Sequence, residues 1–351
     1  MVYIAKVWEV TSSINVKKAL EMNQKKIKFI TGNSSLELNN YYLSLTPENK
    51  GIFNNFQFFF NTDIEDYDYV VFFEHFSKEV KVSVCLDKVI FIAGEATSIK
   101  KYKQIFLDQF GHIITCQEEI KHKSKFLQSP GHSWFSKKSY DELINMDNIK
   151  KTKLLSIVVS NKAFTKGHKD RLDFCLKLKE RLGDQVDLFG RGFNEFDDKW
   201  EVIAPYKYSI AIENSVEDHW VTEKIGDCYT SHTFPFYMGA PNIEDYYNPN
   251  SYALIDVLDF EKSLAIITNI INDSNHYNNH LEFLKESKRF YLNKHSIIPM
   301  VCSFIDKKLP EAEDELENKE LIIFPEKLNF HQNNKLLKFL HKLYKRILLL
   351  P

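Results

Sequence analysis

Paired cysteines, a strong net charge and a long apolar run are all missing from this sequence. Its five cysteines are odd in number and widely spaced, with no Cys-x-x-Cys pair and no histidine at metal-ligand spacing, which argues against a disulfide scaffold and a zinc site. The formal net charge of -2 gives the chain no bias toward nucleic acid. No segment reaches the ~18 consecutive apolar residues of a bilayer span, and the N-terminus lacks a basic region followed by an apolar run. These absences predict a protein of a reducing cytosol.

The chain is long enough for two domains. Its 351 residues exceed one ordinary core, and a hydrophobic content of 44% is enough to build two. In the first half, short apolar runs alternate with helix-like segments, which is typical of a parallel sheet with crossover helices. The runs are Ile27–Thr31, Tyr69–Phe73, Val89–Ala93 and His112–Cys116. The polar stretch Ser136–Lys153 then predicts a domain boundary, with the first domain at residues 1–150.

The second half begins a new alternation of strands and helices. Leu154–Val159 predicts a strand that ends at Ser160-Asn161, and a helix is expected from about Asp170 to Arg181. Val186–Phe189 predicts the next strand. We expect this second α/β domain to span residues 151–310.

Residues 311–351 form a third segment with two charge patterns. The acidic run Glu311–Glu320 predicts a solvated connector. Lys335–Leu350 places apolar residues at helical spacing with lysines and an arginine mostly between them. This pattern predicts an amphipathic helix on an anionic membrane surface, in preference to a helix docked on the protein itself.

Polar groups at the ends of apolar segments are most concentrated between Tyr206 and Asp259. Tyr208–Ile212 predicts a strand that stops at Glu213-Asn214-Ser215, and Thr222-Glu223-Lys224 opens a helical segment. In open α/β sheets, ligands bind at the carboxyl ends of strands and at helix N-termini, which favour phosphate. Glu213 and Glu223 suit sugar hydroxyls, Asn214 can donate and accept, and Lys224 suits a diphosphate. The stretch therefore predicts a nucleotide-sugar site.

The same stretch closely resembles the donor-binding motif of glycosyltransferase family 10, the α1,3/4-fucosyltransferases. The matching residues are Tyr206-Lys207-Tyr208, Glu213-Asn214-Ser215, Trp220-Val221-Thr222-Glu223-Lys224, Phe234-Pro235-Phe236, Gly239, Asn248-Pro249-Asn250-Ser251 and Asp259-Phe260. The resemblance implies an α/β protein of GT-B architecture, with two Rossmann-like domains facing a cleft, the acceptor domain first and the donor domain second. The C-terminal amphipathic helix would follow them.

The resemblance also implies a function. This would be an inverting α1,3-fucosyltransferase that moves L-fucose from GDP-β-L-fucose to a GlcNAc or Glc hydroxyl of a surface glycan, without a metal or other cofactor. Trp220 departs from the family, where tyrosine is common, and the lost hydroxyl leaves room for another donor sugar. One alternative is therefore a GT-B transferase for another GDP-sugar. A second alternative, from a different class, is an inactive protein that binds a glycan or nucleotide.

The catalytic base is expected at the end of a strand in the first domain. Inverting transfer needs a base for the acceptor hydroxyl, and the family has one in a strand-Gly-Glu context, which Val89–Ala93, Gly94 and Glu95 match. Glu95 is the predicted base, although it could instead begin a helix. Glu118 and Glu119 are weaker candidates. His132 is a candidate acceptor contact, but an isolated histidine is more often structural.

Basic side chains are expected to neutralise the leaving diphosphate in place of a metal ion. Lys224 is one of them. The resemblance implies an arginine shortly after Ser160-Asn161, for which Arg171 is the best match and Lys169 the alternative. Ser160 and Asn161 complete the predicted donor set. Asp197-Asp198 lacks the strand context of a metal-binding pair and is interpreted as surface.

The expected partners are a GDP-sugar and an oligosaccharide or lipid-linked glycan, as in lipopolysaccharide or capsule synthesis, with no nucleic acid. The chain resembles the bacterial branch of the family. We therefore expect it in the bacterial cytoplasm, held on the inner face of the membrane through residues 335–350.

Overall fold

Two parallel sheets with flanking helices make up most of the structure, a computed structural model that describes residues 24–32, 34–161, 165–309 and 318–326. The elements of the first half are β1 Lys25–Gly32, α1 Leu36–Ser44, β2 Ile52–Phe53, β3 Phe56–Phe60, β4 Tyr69–Phe76, β5 Val80–Val84, β6 Val89–Ala93, α2 Gln104–Leu107, β7 His112–Thr115, β8 Lys125–Leu127 and α3 Tyr140–Ile144. Those of the second half are β9 Lys153–Val158, α4 Lys166–Leu182, β10 Val186–Phe189, α5 Lys199–Ile203, β11 Tyr206–Ile212, α6 Glu223–Thr230, β12 Phe234–Met238, β13 Ala253–Leu254, α7 Phe260–Asn272, α8 His276–Phe290, α9 Ile297–Lys308 and β14 Lys319–Ile323.

The first sheet has the strand order β2-β3-β1-β4-β6-β7-β8, and all of its pairs are parallel except β2 with β3. The second sheet has the order β10-β9-β11-β12-β13 and is parallel throughout. In each sheet the first strand lies between the next two parallel strands along the chain. The order therefore reverses between β1 and β4 and between β9 and β11, where open α/β sheets bind ligands. The predicted GT-B architecture with two Rossmann-like domains is confirmed.

The apolar runs predicted as strands are strands in the structure. Val89–Ala93 is fully buried along its length, as expected for a parallel strand covered on both faces. The run predicted at Tyr69–Phe73 continues to Phe76 and carries Glu74 at its carboxyl end. Helix α4 begins at Lys166, before the predicted Asp170, because Thr165 caps it by accepting a hydrogen bond from the backbone N–H of His168.

The chain returns to the first domain near its end. Tyr291, Leu292 and residues along α9 pack in one core with Ile27 and Phe29 of β1. The second domain's own packing therefore stops before the predicted limit at residue 310, because the apolar face of α9 covers the first sheet. A helix pattern in sequence indicates an apolar face but not which core it covers.

The last described strand also belongs to the first domain. Strand β14 pairs antiparallel with β5, so Lys319 and Glu320, placed by sequence in a solvated connector, form its start. Residues 311–317 of that connector and the predicted amphipathic helix Lys335–Leu350 lie outside the described residues.

Candidate active site

Side chains from both domains meet where the carboxyl ends of the two sheets face each other. Thr97 donates hydrogen bonds from its backbone N and Oγ1 to the two oxygens of Glu217, at 2.9 and 2.6 Å. Ser98 and Ser215 are in hydroxyl contact beside this pair. A cleft of about 650 Å³ opens here, lined by Glu118 and other residues of the first domain and by the start of α4 and Asn214 from the second.

Glu213 supports the side of the cleft that the second domain forms. It follows β11 directly, and its buried carboxylate accepts hydrogen bonds from the backbone N and Oγ1 of Thr222, at 3.0 and 2.8 Å. Its other oxygen lies 2.9 Å from Lys224 Nζ. Glu213 therefore fixes the N-cap residue and the second residue of α6, and its predicted contact with a sugar hydroxyl stays a prediction.

Thr222 is the N-cap of α6. Its side chain accepts a hydrogen bond from the backbone N–H of Lys224, which leaves the other N–H groups of the first turn directed at the cleft end of the helix. Such a terminus favours anionic groups. The sequence pattern thus places a helix start and an ammonium group at the same edge of the sheet.

Lys224 and Glu223 form a partly buried charge pair at this edge. Lys224 Nζ contacts Thr222 Oγ1 at 3.0 Å and Glu223 Oε1 at 3.4 Å. Burial lowers the pKa of Lys224, but the charges of Glu213 and Glu223 more than offset this and raise it. Burial likewise opposes ionisation of Glu223, yet Lys224 and Lys199 hold its pKa well below the usual range. Both groups therefore stay charged at neutral pH.

Lys199 is a cation that sequence analysis missed. Its Nζ lies 2.5 Å from Asp227 Oδ2, and Asp227 Oδ1 accepts a hydrogen bond from the backbone N of Phe135. Lys199, Arg171 and Lys224 line one small cavity of about 20 Å³. The sequence signal that could have pointed to Lys199 was Asp198, a helix-capping residue type directly before it. The Asp198 side chain accepts a hydrogen bond from the backbone N of Trp200 and caps α5. This capping role also fits the surface interpretation of Asp197-Asp198.

Arg171 faces the same edge from α4. Its Nη1 donates to the carbonyl of Ile212 at a long 3.5 Å, and its Nε is buried with no hydrogen-bond partner among the described residues. Buried donors are nearly always paired, so this guanidinium is suited to bind an anionic ligand by donating hydrogen bonds to it. Lys169 is exposed, so the geometry favours Arg171 over Lys169.

Ser160 and Asn161 follow β9 at the same switch point. The backbone N of Asn161 donates to the carbonyl of Arg191 at 3.1 Å, and its side chain packs under Gly192. A Cβ on Gly192 would lie 2.5 Å from Asn161 Nδ2. Ser160 is half-buried beside it. Asn161 thus shapes the loop after β10, and donor contacts for both residues stay predictions.

Trp220 joins the two domains. Its ring is buried and packs with Ala96 and Cys116 of the first domain, and its Nε1 donates to Asn214 Oδ1 at 3.0 Å. The indole therefore orients the amide of Asn214 toward the cleft. The departure from tyrosine is accommodated by this packing.

Glu95 lies across the cleft, after β6 and Gly94. Residues 94–100 form turns, so the alternative in which Glu95 begins a helix is excluded. Gln117 Nε2 donates to the Glu95 carbonyl at 2.7 Å and fixes the backbone. Burial raises the pKa of the Glu95 carboxyl, while Lys100 and Lys224 oppose the rise. A half-buried carboxyl with a raised pKa is suited to accept a proton.

His132 touches both domains beside Glu95. Its ring lies 5.9 Å from Phe73 and 5.3 Å from Trp220 between centroids. Burial lowers the pKa of His132, so the imidazole is neutral near pH 7. Its Nε2 is buried with no partner among the described residues. An acceptor contact for His132 stays a prediction.

Two other carboxylates, Glu118 and Glu119, are exposed in the turn after β7, and Glu119 lies 3.7 Å from Lys101. A third, Glu74, was not singled out by sequence, although its place at the end of an apolar run could have identified it. Within the described ranges no group of three or more His, Cys, Asp or Glu residues could hold a metal ion. No helix of this part of the chain is long and apolar enough to cross a membrane.

Comparisons with known proteins point to one family. Residues 148–319 match the family model described as glycosyltransferase family 10 (fucosyltransferase) C-term. The alpha-(1,3)-fucosyltransferase FucT of Helicobacter pylori is 36% identical over 96 residues, which cover 27% of this chain and 20% of that protein. The GDP-fucose protein O-fucosyltransferase 3 of Danio rerio is 36% identical over 100 residues, 24% of this chain and 21% of that protein. The matches thus span about a fifth of these relatives.

A solved structure of an alpha1,3-fucosyltransferase with GDP-fucose covers 78% of this chain, and the alignment covers 93% of that structure. The two are 19% identical and superpose with a TM-score of 0.47.

Proposed function

We propose, given that the chain belongs to glycosyltransferase family 10 through residues 148–319, that it transfers L-fucose from GDP-fucose to a sugar hydroxyl. The observation that carries this proposal is the arrangement of charge across the cleft. The cations Arg171, Lys199 and Lys224 line one edge of the second sheet, and Glu95 faces them from the first. A diphosphate leaving group and a hydroxyl nucleophile need these two kinds of group.

The donor would bind at the switch point of the second sheet. There the diphosphate would meet Lys224, the Nε of Arg171, which has no partner in the part of the chain that the structure describes, and the N-terminus of α6. Glu223, held ionised by Lys224 and Lys199, would accept hydrogen bonds from donor hydroxyls. These fixed charges stabilise the developing negative charge on GDP, the task that a divalent metal performs in other transferases. We propose that no metal or other cofactor is required.

The chemical step would be a single displacement with inversion. The acceptor oxygen attacks C1 of fucose, the bond from C1 to the phosphate oxygen breaks, and GDP leaves with the electron pair. The hydroxyl proton passes to the Glu95 carboxylate. The β-linked donor thus gives an α-linked product, with Glu95 as general base.

A GDP-release assay with EDTA present tests the proposal. GDP-fucose and GDP-mannose are offered separately with lactose, with N-acetyllactosamine and with buffer alone. We expect acceptor-dependent release with GDP-fucose, and an α-anomeric product proton signal by NMR. Release only with GDP-mannose would identify another GDP-sugar as the donor, for which Trp220 is the sequence hint. If no pair of donor and acceptor gives GDP release, but calorimetry shows that the protein binds GDP, the protein would be an inactive nucleotide-binding protein.

We further propose that the acceptor is a GlcNAc or Glc hydroxyl of a lipid-linked or free glycan, as in lipopolysaccharide or capsule synthesis. The basic, apolar spacing of residues 335–350 supports contact with the anionic inner face of a bacterial cytoplasmic membrane. Cosedimentation of the full chain and of a chain ending at residue 334 with phosphatidylglycerol vesicles tests this. Equal binding by both, or by neither, contradicts it.

A further inference from the structure

A second carboxyl group stands beside Glu95 on the acceptor side of the cleft. Glu74 lies in β4 with φ at +59°, a left-handed conformation that residues other than glycine rarely adopt. The register of β4 against β1 shifts at the same place, between Thr31 and Gly32. Strained residues of this kind persist where the surroundings fix them, and they concentrate at binding and catalytic sites.

The strained backbone turns the Glu74 side chain onto the segment that carries Glu95. A Cβ on Gly94 would lie 2.4 Å from Glu74 Cγ and 2.5 Å from its Oε1, so the Glu74 side chain lies directly against Gly94 and would have to move for a larger residue there. Glu74 and Glu95 thus lie at the carboxyl ends of two neighbouring strands, β4 and β6. The side chain of Glu74 keeps 24% of its surface exposed, so it is not sealed in the core.

The charges around Glu74 keep it in a form that can exchange hydrogen bonds with hydroxyls. Burial and the charge of Glu95 raise its pKa to about 7, while Lys100 opposes the rise. The titratable groups near it, from all elements packed there, are Tyr42, His75, Glu95, Lys100, Tyr102 and Glu223. A carboxyl near its pKa both accepts and donates hydrogen bonds, as the hydroxyls of a sugar do.

We propose that Glu74 binds the acceptor sugar by hydrogen bonding to a hydroxyl next to the one that Glu95 deprotonates. Three observations carry this assignment: the Glu74 side chain is partly exposed, lies against Gly94 beside Glu95, and stands at the switch point between β1 and β4. The assignment rests on the proposed function. It makes Glu74 a determinant of acceptor choice with no part in donor binding.

The test separates the acceptor from the donor. Initial rates of GDP release are measured for Glu74→Gln and Glu74→Gly, with lactose and N-acetyllactosamine varied at saturating GDP-fucose and then with GDP-fucose varied. Glu74→Gly removes the carboxyl and relieves the positive φ, so it keeps the fold. Glu79→Gln, at an exposed carboxylate after β4, is the matched control.

We expect the acceptor KM to rise about tenfold in both Glu74 variants, with the GDP-fucose KM unchanged within about twofold and the control like the wild type. An unchanged acceptor KM, or a GDP-fucose KM that rises in step with it, would overturn the assignment of Glu74 alone. A wild-type protein that turns over GDP-fucose with no acceptor would instead overturn the proposed function, and the assignment with it.

Discussion

Arg171 and Lys169 lie two residues apart on α4, but only one of them faces the donor edge. Arg171 has a buried Nε that no described residue pairs with, whereas Lys169 is exposed. Because a hydrogen bond to a charged group contributes about 1.5–3 kcal/mol, Arg171→Met should weaken GDP binding by about 10- to 100-fold. Isothermal titration calorimetry with GDP measures this.

The neighbouring lysine supplies the control for this prediction. Lys169→Met removes the same charge from the same helix and should leave GDP affinity within about twofold of the wild type. Equal losses in the two variants would show that general charge, and not the guanidinium at the sheet edge, attracts the nucleotide.

The pH dependence of transfer depends on the charges around Glu95. Glu95 accepts a proton only when it is ionised, so kcat/KM should fall as the pH drops through its raised pKa. Lys100 lowers that pKa, so Lys100→Met should move the acidic limb of the profile to higher pH. A rate profile from pH 4 to 9 measures the shift.

Lys101→Met serves as the control for Lys100, because the side chain of Lys101 is 76% exposed and is not among the charges that shift the pKa of Glu95. An acidic limb that stays in place in Lys100→Met, or that moves equally in both variants, would mean that Glu95 is not the titrating base.

Single residues also show what the sequence could predict about the site. Glu213, Glu223 and Lys224 were identifiable because each follows a strand or opens a helix, where ligand groups concentrate in α/β sheets. Glu74 follows an apolar run in the same way and could have been identified, but the positive φ that turns its side chain toward Gly94 leaves no signature in a glutamate. Lys199 was missed because its partner, Asp227, is distant in sequence and meets it only in the fold.

At the scale of elements, the junction between β11 and α6 depends on one hydroxyl. Thr222 caps α6 and donates to the buried Glu213. Thr222→Val keeps the shape but loses the cap and one of the donors to a buried carboxylate, which should lower the free energy of unfolding by about 2 kcal/mol or more. Urea denaturation monitored by circular dichroism measures the loss.

Thr222→Ser keeps the hydroxyl and should restore most of the stability. If Thr222→Ser destabilises the protein as much as Thr222→Val, the hydroxyl that both threonine and serine carry would not account for the stability, and the role of the Thr222–Glu213 hydrogen bond would be wrong.

The parallel strands were predictable at this scale because strands buried on both faces are continuous apolar runs, as Val89–Ala93 shows. The start of α4 was not, because Gly167 and His168 are weak helix formers and the capping threonine precedes them. The pairing of β5 with β14 could not be predicted either. It joins distant parts of the chain, and local patterns do not specify the partner of a strand.

At the scale of the whole molecule, hydrogen bonds from Thr97 to Glu217 hold the two domains together across the cleft. Glu217→Ala removes both acceptors, so the domains should spend more time apart. We expect a larger radius of gyration in small-angle X-ray scattering and a transfer rate about tenfold lower, because closure brings Glu95 to the donor.

Glu118→Ala is the control, since this exposed carboxylate lines the same cleft and its side chain is not part of the contact. A radius of gyration that is the same in Glu217→Ala and the wild type would show that the domain arrangement is fixed by other contacts. The return of α9 to the first core is the obvious alternative.

In the proposed mechanism, Glu95 removes the acceptor proton while Lys224 and Arg171 hold the diphosphate. Its most direct test compares Glu95→Gln with the wild type in single-turnover transfer from GDP-fucose, with GDP affinity measured in parallel. We predict an unchanged GDP affinity and a transfer rate about 10²- to 10⁴-fold lower, the usual contribution of a general base. Full transfer activity in Glu95→Gln would contradict the account.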